Sequence, residues 1–185
     1  MKKTITITLF AVLIISLLVA SFAVSPVQAA YDSGRRGPTG NRGQRVLSQS
    51  TTAVVLTDQE KIDLGEAIRE EYTAMNTYLG ISKEYGDNAL FARIARSEQQ
   101  HVNALIRVAE RHGVEVPENS GEVAEVEWTT YAEACEFGVK FEKLDAGLYD
   151  ELLAKTSNPE LVWVYTRLQS ASLNNHLRAF ETCLP

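Results

Sequence analysis

Six residues of the kinds that hold cations or move protons recur along this 185-residue chain at helical spacing: Glu71, Glu98, His101, Glu142, Asp145 and His176. Steps of three and four place each of them on an otherwise apolar stripe. Leu64, Ile68, Met75 and Tyr78 flank Glu71, and Phe91, Ile94, Leu105 and Val108 flank Glu98 and His101. Tyr131, Cys135, Gly138, Tyr149 and Leu152 share a stripe with Glu142 and Asp145, while Val162, Tyr165, Ser172, Ala179 and Cys183 share one with His176. An uncompensated carboxylate on a buried seam costs several kcal/mol on typical scales. Internal acid–base pairing accounts for two such residues, but not for three or four acids on seams that carry no Lys or Arg. A divalent or trivalent cation accounts for the set, because carboxylate oxygens and imidazole nitrogens suit iron, manganese or zinc. In Glu98-Gln99-Gln100-His101 the acid and the base are three apart and share a helix face, so both reach one ion. Two metal-free readings stay open at this point: Glu98 and His101 as an internal hydrogen-bonded pair, and His176 as a packed core histidine.

The elements that must position these residues are four helices. Thr57-Asp58-Gln59-Glu60 is a capping box that opens a run to about Tyr85, with Gly86 as its stop. Asn88 caps a second run, ending at His112 and Gly113, where a favourable dipole interaction suffices for His112. Thr130-Tyr131-Ala132-Glu133 opens a third, to about Lys155, and Asn158-Pro159-Glu160 opens a fourth that continues to the chain end. Short turns make helices one and two, and helices three and four, antiparallel hairpins. The longer stretch from Val114 to Thr129 joins them, either as a crossover or as the loop of a plain up-and-down bundle. The fold class is therefore all-α, an antiparallel four-helix bundle over residues 54–185.

The two hairpins echo one another. Glu71 and Tyr78 are seven apart, as are Glu142 and Tyr149, and Ser97 and His101 keep the spacing of Ser172 and His176. Tyr78 and Tyr149 are read as core aromatics in preference to redox tyrosines. If Glu142 and His176 lie at one level, Cys135 and Cys183 both lie two turns away toward the same end, roughly 10 Å along the axis. An exported chain with two cysteines at matched depth is expected to carry a Cys135–Cys183 disulfide; two buried free thiols are the other possibility.

The segments Arg69-Glu70-Glu71, Ile94 to His101, Gly138 to Glu142 and Asn175-His176-Leu177-Arg178-Ala179-Phe180 resemble the ferritin-like di-iron superfamily. Within it they are most similar to the exported ferritin-like family known as domain of unknown function 2202. The resemblance covers about Thr57 to Cys183. It implies a bundle in which a Glu from each of two helices and a Glu-x-x-His from each of the others hold two metals. Carried over residue by residue, it implies Glu71, Glu98, His101, Glu142 and His176 as ligands. Leu173 stands three before His176, where the pattern has Glu, so a bridging carboxylate is missing; Asp145 is the candidate replacement, and Glu70 a poorer one. A dinuclear, a mononuclear and an empty site all remain open. The chain has no Cys-x-x-Cys pair and hence no rubredoxin-type module.

Lys2 and Lys3, an apolar run from Ile5 to Val24, and Val27-Gln28-Ala29 read as a signal peptide of residues 1–29, cleaved after Ala29. The run also nearly suffices for an uncleaved anchor, the one expected route to a membrane. Residues 30–53 are rich in Gly, Ser, Thr, Gln and Arg, too poor in apolar surface to fold, and read as a disordered basic linker. With the basic and acidic residues of that leader set aside, 12 basic against 23 acidic residues remain, a net of −11 that argues against nucleic acid as a partner. The expected protein is thus exported to the envelope, periplasm or medium and binds metal ions, iron first and manganese or zinc next; homo-oligomers stay open. Its expected function is that of an oxidoreductase acting on dioxygen or peroxide through a di-iron or di-manganese centre. The competing class is a non-enzymatic envelope module with a degenerate or empty site.

Overall fold

The computed structural model of the chain describes residues 54–184; the signal and linker expectations lie outside the described residues. Four long helical rods account for about three quarters of these residues, and no strand occurs among them. Helix α1 spans Asp58–Glu84, α2 Ala89–Arg111 and α3 Tyr131–Lys155. The fourth rod is composite: α4 (Pro159–Ala171), one π-helical turn (Ser172–His176) and α5 (Leu177–Glu181).

The helix ends form where their side chains can satisfy the free amides. Thr57 and Glu60 close the first capping box, and Thr130 and Glu133 the second. Asn88 and Asn158 accept from the opening amides of α2 and α4. Between α1 and α2 the backbone reverses through Gly86 (φ 70°) and Asp87 (φ 59°), a left-handed pair that glycine and aspartate tolerate best.

Cross-helix contacts fix the topology. Tyr78 meets Glu142 and Tyr149 meets Glu71, so α1 and α3 are antiparallel. Ser97 meets His176 and Arg111 meets Glu160, so α2 and the fourth rod are antiparallel as well. With each hairpin antiparallel by its turn, α2 and α3 run in the same direction, and residues 114–129 must travel the length of the bundle. The segment lies along α1: Asn119 and Asn76 exchange amide bonds, the Ala124 amide donates to Thr77 Oγ1, and Trp128 Nε1 donates to Glu84 Oε2 at 2.9 Å. Sixteen extended residues reach about 53–58 Å, enough for the roughly 40 Å of a 27-residue helix. The plain up-and-down alternative is thereby excluded in favour of two hairpins and one crossover.

The core is layered. At one end Leu64, Ile68, Leu105, Val108, Leu152, Leu161 and Leu168 form an aliphatic plug. At the other, Tyr78, Phe91, Phe137, Phe141 and Phe180 form an aromatic one, with ring centroids 5.1–6.1 Å apart. The Cys135–Cys183 disulfide closes the aromatic end, with Cα atoms 6.0 Å apart, as expected. Gly138 leaves room for Phe180, whose ring a Cβ there would meet at 2.6 Å. Between the plugs the bundle buries a polar layer.

Candidate metal centre

That middle layer holds every one of the six residues singled out above. Glu71, Glu98, His101, Glu142, Asp145 and His176 are all at most 6% exposed. The stripes of α1, α2 and α3 are buried as their periodicity predicts, except Tyr131, which is half-buried at the mouth. The stripe of the fourth rod needs correction. Val162 is 37% exposed, while Leu161 is buried in its place, and Ala179 and Cys183 are only half-buried, with Phe180 buried instead. The buried positions Leu161, Tyr165, Leu168, Ser172, His176 and Phe180 end in three successive steps of four. An ordinary α-helix drifts away from its seam at that spacing, and the wider π turn absorbs the drift.

The same turn changes the meaning of Leu173. Three residues before His176, it points outward and is 39% exposed, so no side chain at that position would enter the core. Ser172, fully buried, occupies the place instead, and its hydroxyl donates to Asp145 Oδ2 at 2.5 Å. In the fourth rod the buried position before His176 is therefore a serine bonded to Asp145.

Glu98 is the hub. Its Oε2 lies 2.8 Å from His101 Nδ1 and its Oε1 2.9 Å from His176 Nδ1. Glu71 Oε2 lies 3.2 Å from His101 Nδ1, and Glu142 Oε2 lies 3.3 Å from His176 Nδ1. The two imidazoles stack with centroids 5.2 Å apart, so the five residues form two half-sites sharing one carboxylate. The atoms that Glu98, His101 and His176 offer all lie within 4.8 Å of one another. Two donors set at right angles around one ion, each about 2.1 Å from it, would be about 3.0 Å apart, and these donor–donor separations bracket that value.

Outside the half-sites the pseudo-symmetry continues, crossed between hairpins. Tyr78 donates to Glu142 Oε1 at 2.6 Å, and Tyr149 donates to Glu71 Oε1. Each tyrosine thus serves the glutamate of the other hairpin, because antiparallel helices bring residue seven of one beside residue zero of the other. The seven-residue Glu–Tyr spacing is visible in the sequence; the exchange of partners is not. His176 Nε2 lies 2.8 Å from Ser97 Oγ, a partner that the sequence reading passed over. The recurrence of Ser four before each His was the available signal. With Nε2 so occupied, the buried Nδ1 of His176 finds no hydrogen bond of acceptable geometry, although two carboxylates flank it.

Burial opposes charge on both imidazoles, but the flanking carboxylates prevail. Glu71 and Glu98 push His101 up to about 11, and Glu142 and Glu98 push His176 up to about 10. Glu98, although buried, is held below the usual carboxylate range by its two histidines. Burial pushes Glu71, Glu142 and above all Asp145 upward, and the charge of Glu71 raises Asp145 further. The flanking carboxylates thus draw a proton onto each of the two histidines, and burial keeps one on Asp145. His112, expected only at a helix end, reaches across to Glu160 Oε2 at 2.8 Å and ties α2 to α4 well away from this layer.

The profile of the family described as Uncharacterized protein domain (DUF2202) matches residues 64–184. The uncharacterized protein MJ0754 of Methanocaldococcus jannaschii is 26% identical to this chain over 144 residues, taking in 70% of this chain and 77% of that protein. The crystal structure of hypothetical protein MJ0754 from Methanococcus jannaschii matches with a TM-score of 0.63 at 26% identity, over 70% of this chain and 81% of that one. The family match contains all six core polar residues and both cysteines, and on that match the chain belongs to the DUF2202 family.

Proposed function

We propose that this protein is a metal-binding helical bundle whose middle layer holds a pair of iron ions, with manganese or zinc as the next candidates, and that it works as an oxidoreductase on dioxygen or peroxide. One observation carries the reading: Glu98 presents one oxygen to each of two histidine Nδ1 atoms, with Glu71 and Glu142 completing mirror-related donor sets. The donor chemistry fits, being three carboxylates and two imidazoles with no thiolate, a set suited to iron or manganese. The buried Nδ1 of His176 fits too, since it faces two carboxylate oxygens where only a proton or a cation is favourable. Export agrees with the disulfide, and no helix of the described residues is long and apolar enough to cross a membrane.

Glu71, Glu98 and His101 would hold one ion, and Glu98, Glu142 and His176 the other. Such ions supply one-electron steps toward dioxygen or peroxide when bound. The protein's own residues do the rest. Tyr149 and Tyr78 orient the outer glutamates and keep their second oxygens occupied. Ser97 orients His176, and Ser172 holds Asp145 as a supporting acid beside the centre. The aliphatic and aromatic plugs keep bulk water from both ends.

Elemental analysis after anaerobic loading with Fe(II) or Mn(II) tests the reading. About two metals per chain are expected, and fewer than about 0.2 would end it in favour of a non-enzymatic bundle. Glu98→Ala removes the shared ligand and should abolish binding; unchanged stoichiometry in that variant would refute the ligand set.

A further inference from the structure

Beside the centre the surface opens into a cleft of about 560 Å³, between the first half of α2 and the π turn with α5. Polar side chains stand on both of its walls, and Ile94 and Ala179 line it as well. Arg93 and Ser97, one turn apart, stand on α2; Asn174, Arg178 and Thr182, each four apart, stand opposite, with Asn175 beside them. No carboxylate lines it. Among the described residues neither Arg93 nor Arg178 has an acidic partner within salt-bridge distance, and Asn175 makes no side-chain hydrogen bond. Two arginines without acidic partners lining one concavity, with no carboxylate beside them, give it a local charge opposite to that of a domain whose net charge is −11. At the floor lies the Ser97 Oγ–His176 Nε2 contact, and His176 carries the chain of contacts on to Glu98 and Glu142.

We propose that this cleft is a binding site for a small oxyanion-bearing molecule, a carboxylate or a phosphate, held between Arg93 and Arg178 with the Asn175 amide and the Ser97 hydroxyl as further partners. Guanidinium forks match planar carboxylates and tetrahedral phosphates, and an amide and a hydroxyl complete the hydrogen bonds that a desolvated oxyanion requires. The volume suits a small metabolite. Anion binding itself does not depend on metal; that the bound molecule lies one hydrogen bond from a ligand of the centre rests on the metal reading above.

The test is titration of the metal-free protein with inorganic phosphate and, separately, with acetate, at constant ionic strength, followed by amide chemical shifts. Saturable shifts at Arg93, Ser97 and Arg178 are expected for at least one anion, and which anion binds more tightly identifies the headgroup. Arg93→Gln and Arg178→Gln should each weaken binding about tenfold or more, with metal stoichiometry unchanged. No saturable shift with either anion, or unaltered affinity in the double variant, overturns the proposal. So does binding that needs bound metal and ignores both arginines, because the anion would then be a metal ligand. Anion binding in a protein that loads no metal would instead retain the cleft and sink the metal centre.

Discussion

The covalent tie between Cys135 and Cys183 gives a prediction whose size follows from the structure. The bridge joins the first turns of α3 to the end of the fourth rod, across a sequence separation of 48 residues. Cross-linking a loop of that length removes about 4 kcal/mol of unfolded-state entropy at 25 °C in the chain-entropy model. A bundle of roughly 130 residues unfolds with an entropy of about 0.27 kcal/mol/K near its midpoint. Replacing both cysteines (Cys135→Ala with Cys183→Ala) should therefore lower Tm by about 15 °C. The loss should not be uniform. α5 is only five residues long and is pinned at its far end by the bridge, so hydrogen exchange should accelerate there and in the π turn before it does in α1 or α2. The assay is thermal unfolding of the oxidised, reduced and doubly substituted proteins, with intact mass under non-reducing conditions to establish the bridge. A bridge present by mass but a Tm change under about 3 °C would refute the loop-entropy argument. A protein with two free thiols would refute the pairing.

Other expectations are as direct. Gly138→Ala drives a methyl into the Phe180 ring, which has no slack among Tyr78, Phe91 and the disulfide, and should cost about 1–3 kcal/mol in chemical denaturation. Tyr149→Phe leaves Glu71 Oε1 buried without its donor; a loss of about 1–3 kcal/mol in the metal-free protein is expected, together with weaker metal retention during dialysis, and a neutral result would deny Tyr149 its supporting role. Asp145→Asn removes a carboxyl that burial and Glu71 already hold well above its usual range, so stability at pH 7 should hold or rise. Metal stoichiometry in that variant should stay at two, and a drop to one would make Asp145 a ligand. Burial works against ionised Glu160, but hydrogen bonds from His112 and Arg111 hold its carboxyl below the usual range. A lowered folded-state value means stability present above the unfolded value of about 4.3 and lost as pH falls through the folded one. Urea midpoints of wild type and Glu160→Gln should accordingly differ at pH 7 and converge on acidification; a gap that persists in acid would discount the ion pair.

Local chemistry makes much of this protein legible in its sequence. Capping boxes at Thr57 and Thr130, the Asn158-Pro159 start and the Gly86 stop act within a turn or two, so the sequence by itself determined where the helices begin and end. Periodicity placed Glu71, Glu98, His101, Glu142, Asp145 and His176 in the core, because a buried stripe is a property of one helix at a time. Depth counted from those residues paired the cysteines. Three matters were decided only by the tertiary structure. The direction of the long connection depends on which helices lie side by side, and sixteen residues permit either topology. The crossed Tyr78–Glu142 and Tyr149–Glu71 bonds depend on the relative register of α1 and α3, which no single helix encodes. The π turn, last, turns Leu173, which stands where the family pattern has a ligand, outward, while Ser172 keeps the buried place that its stripe gave it. One extra residue in a turn is energetically unfavourable within the helix itself, and it persists here where Phe180, His176 and Ser172 must all face the bundle at once.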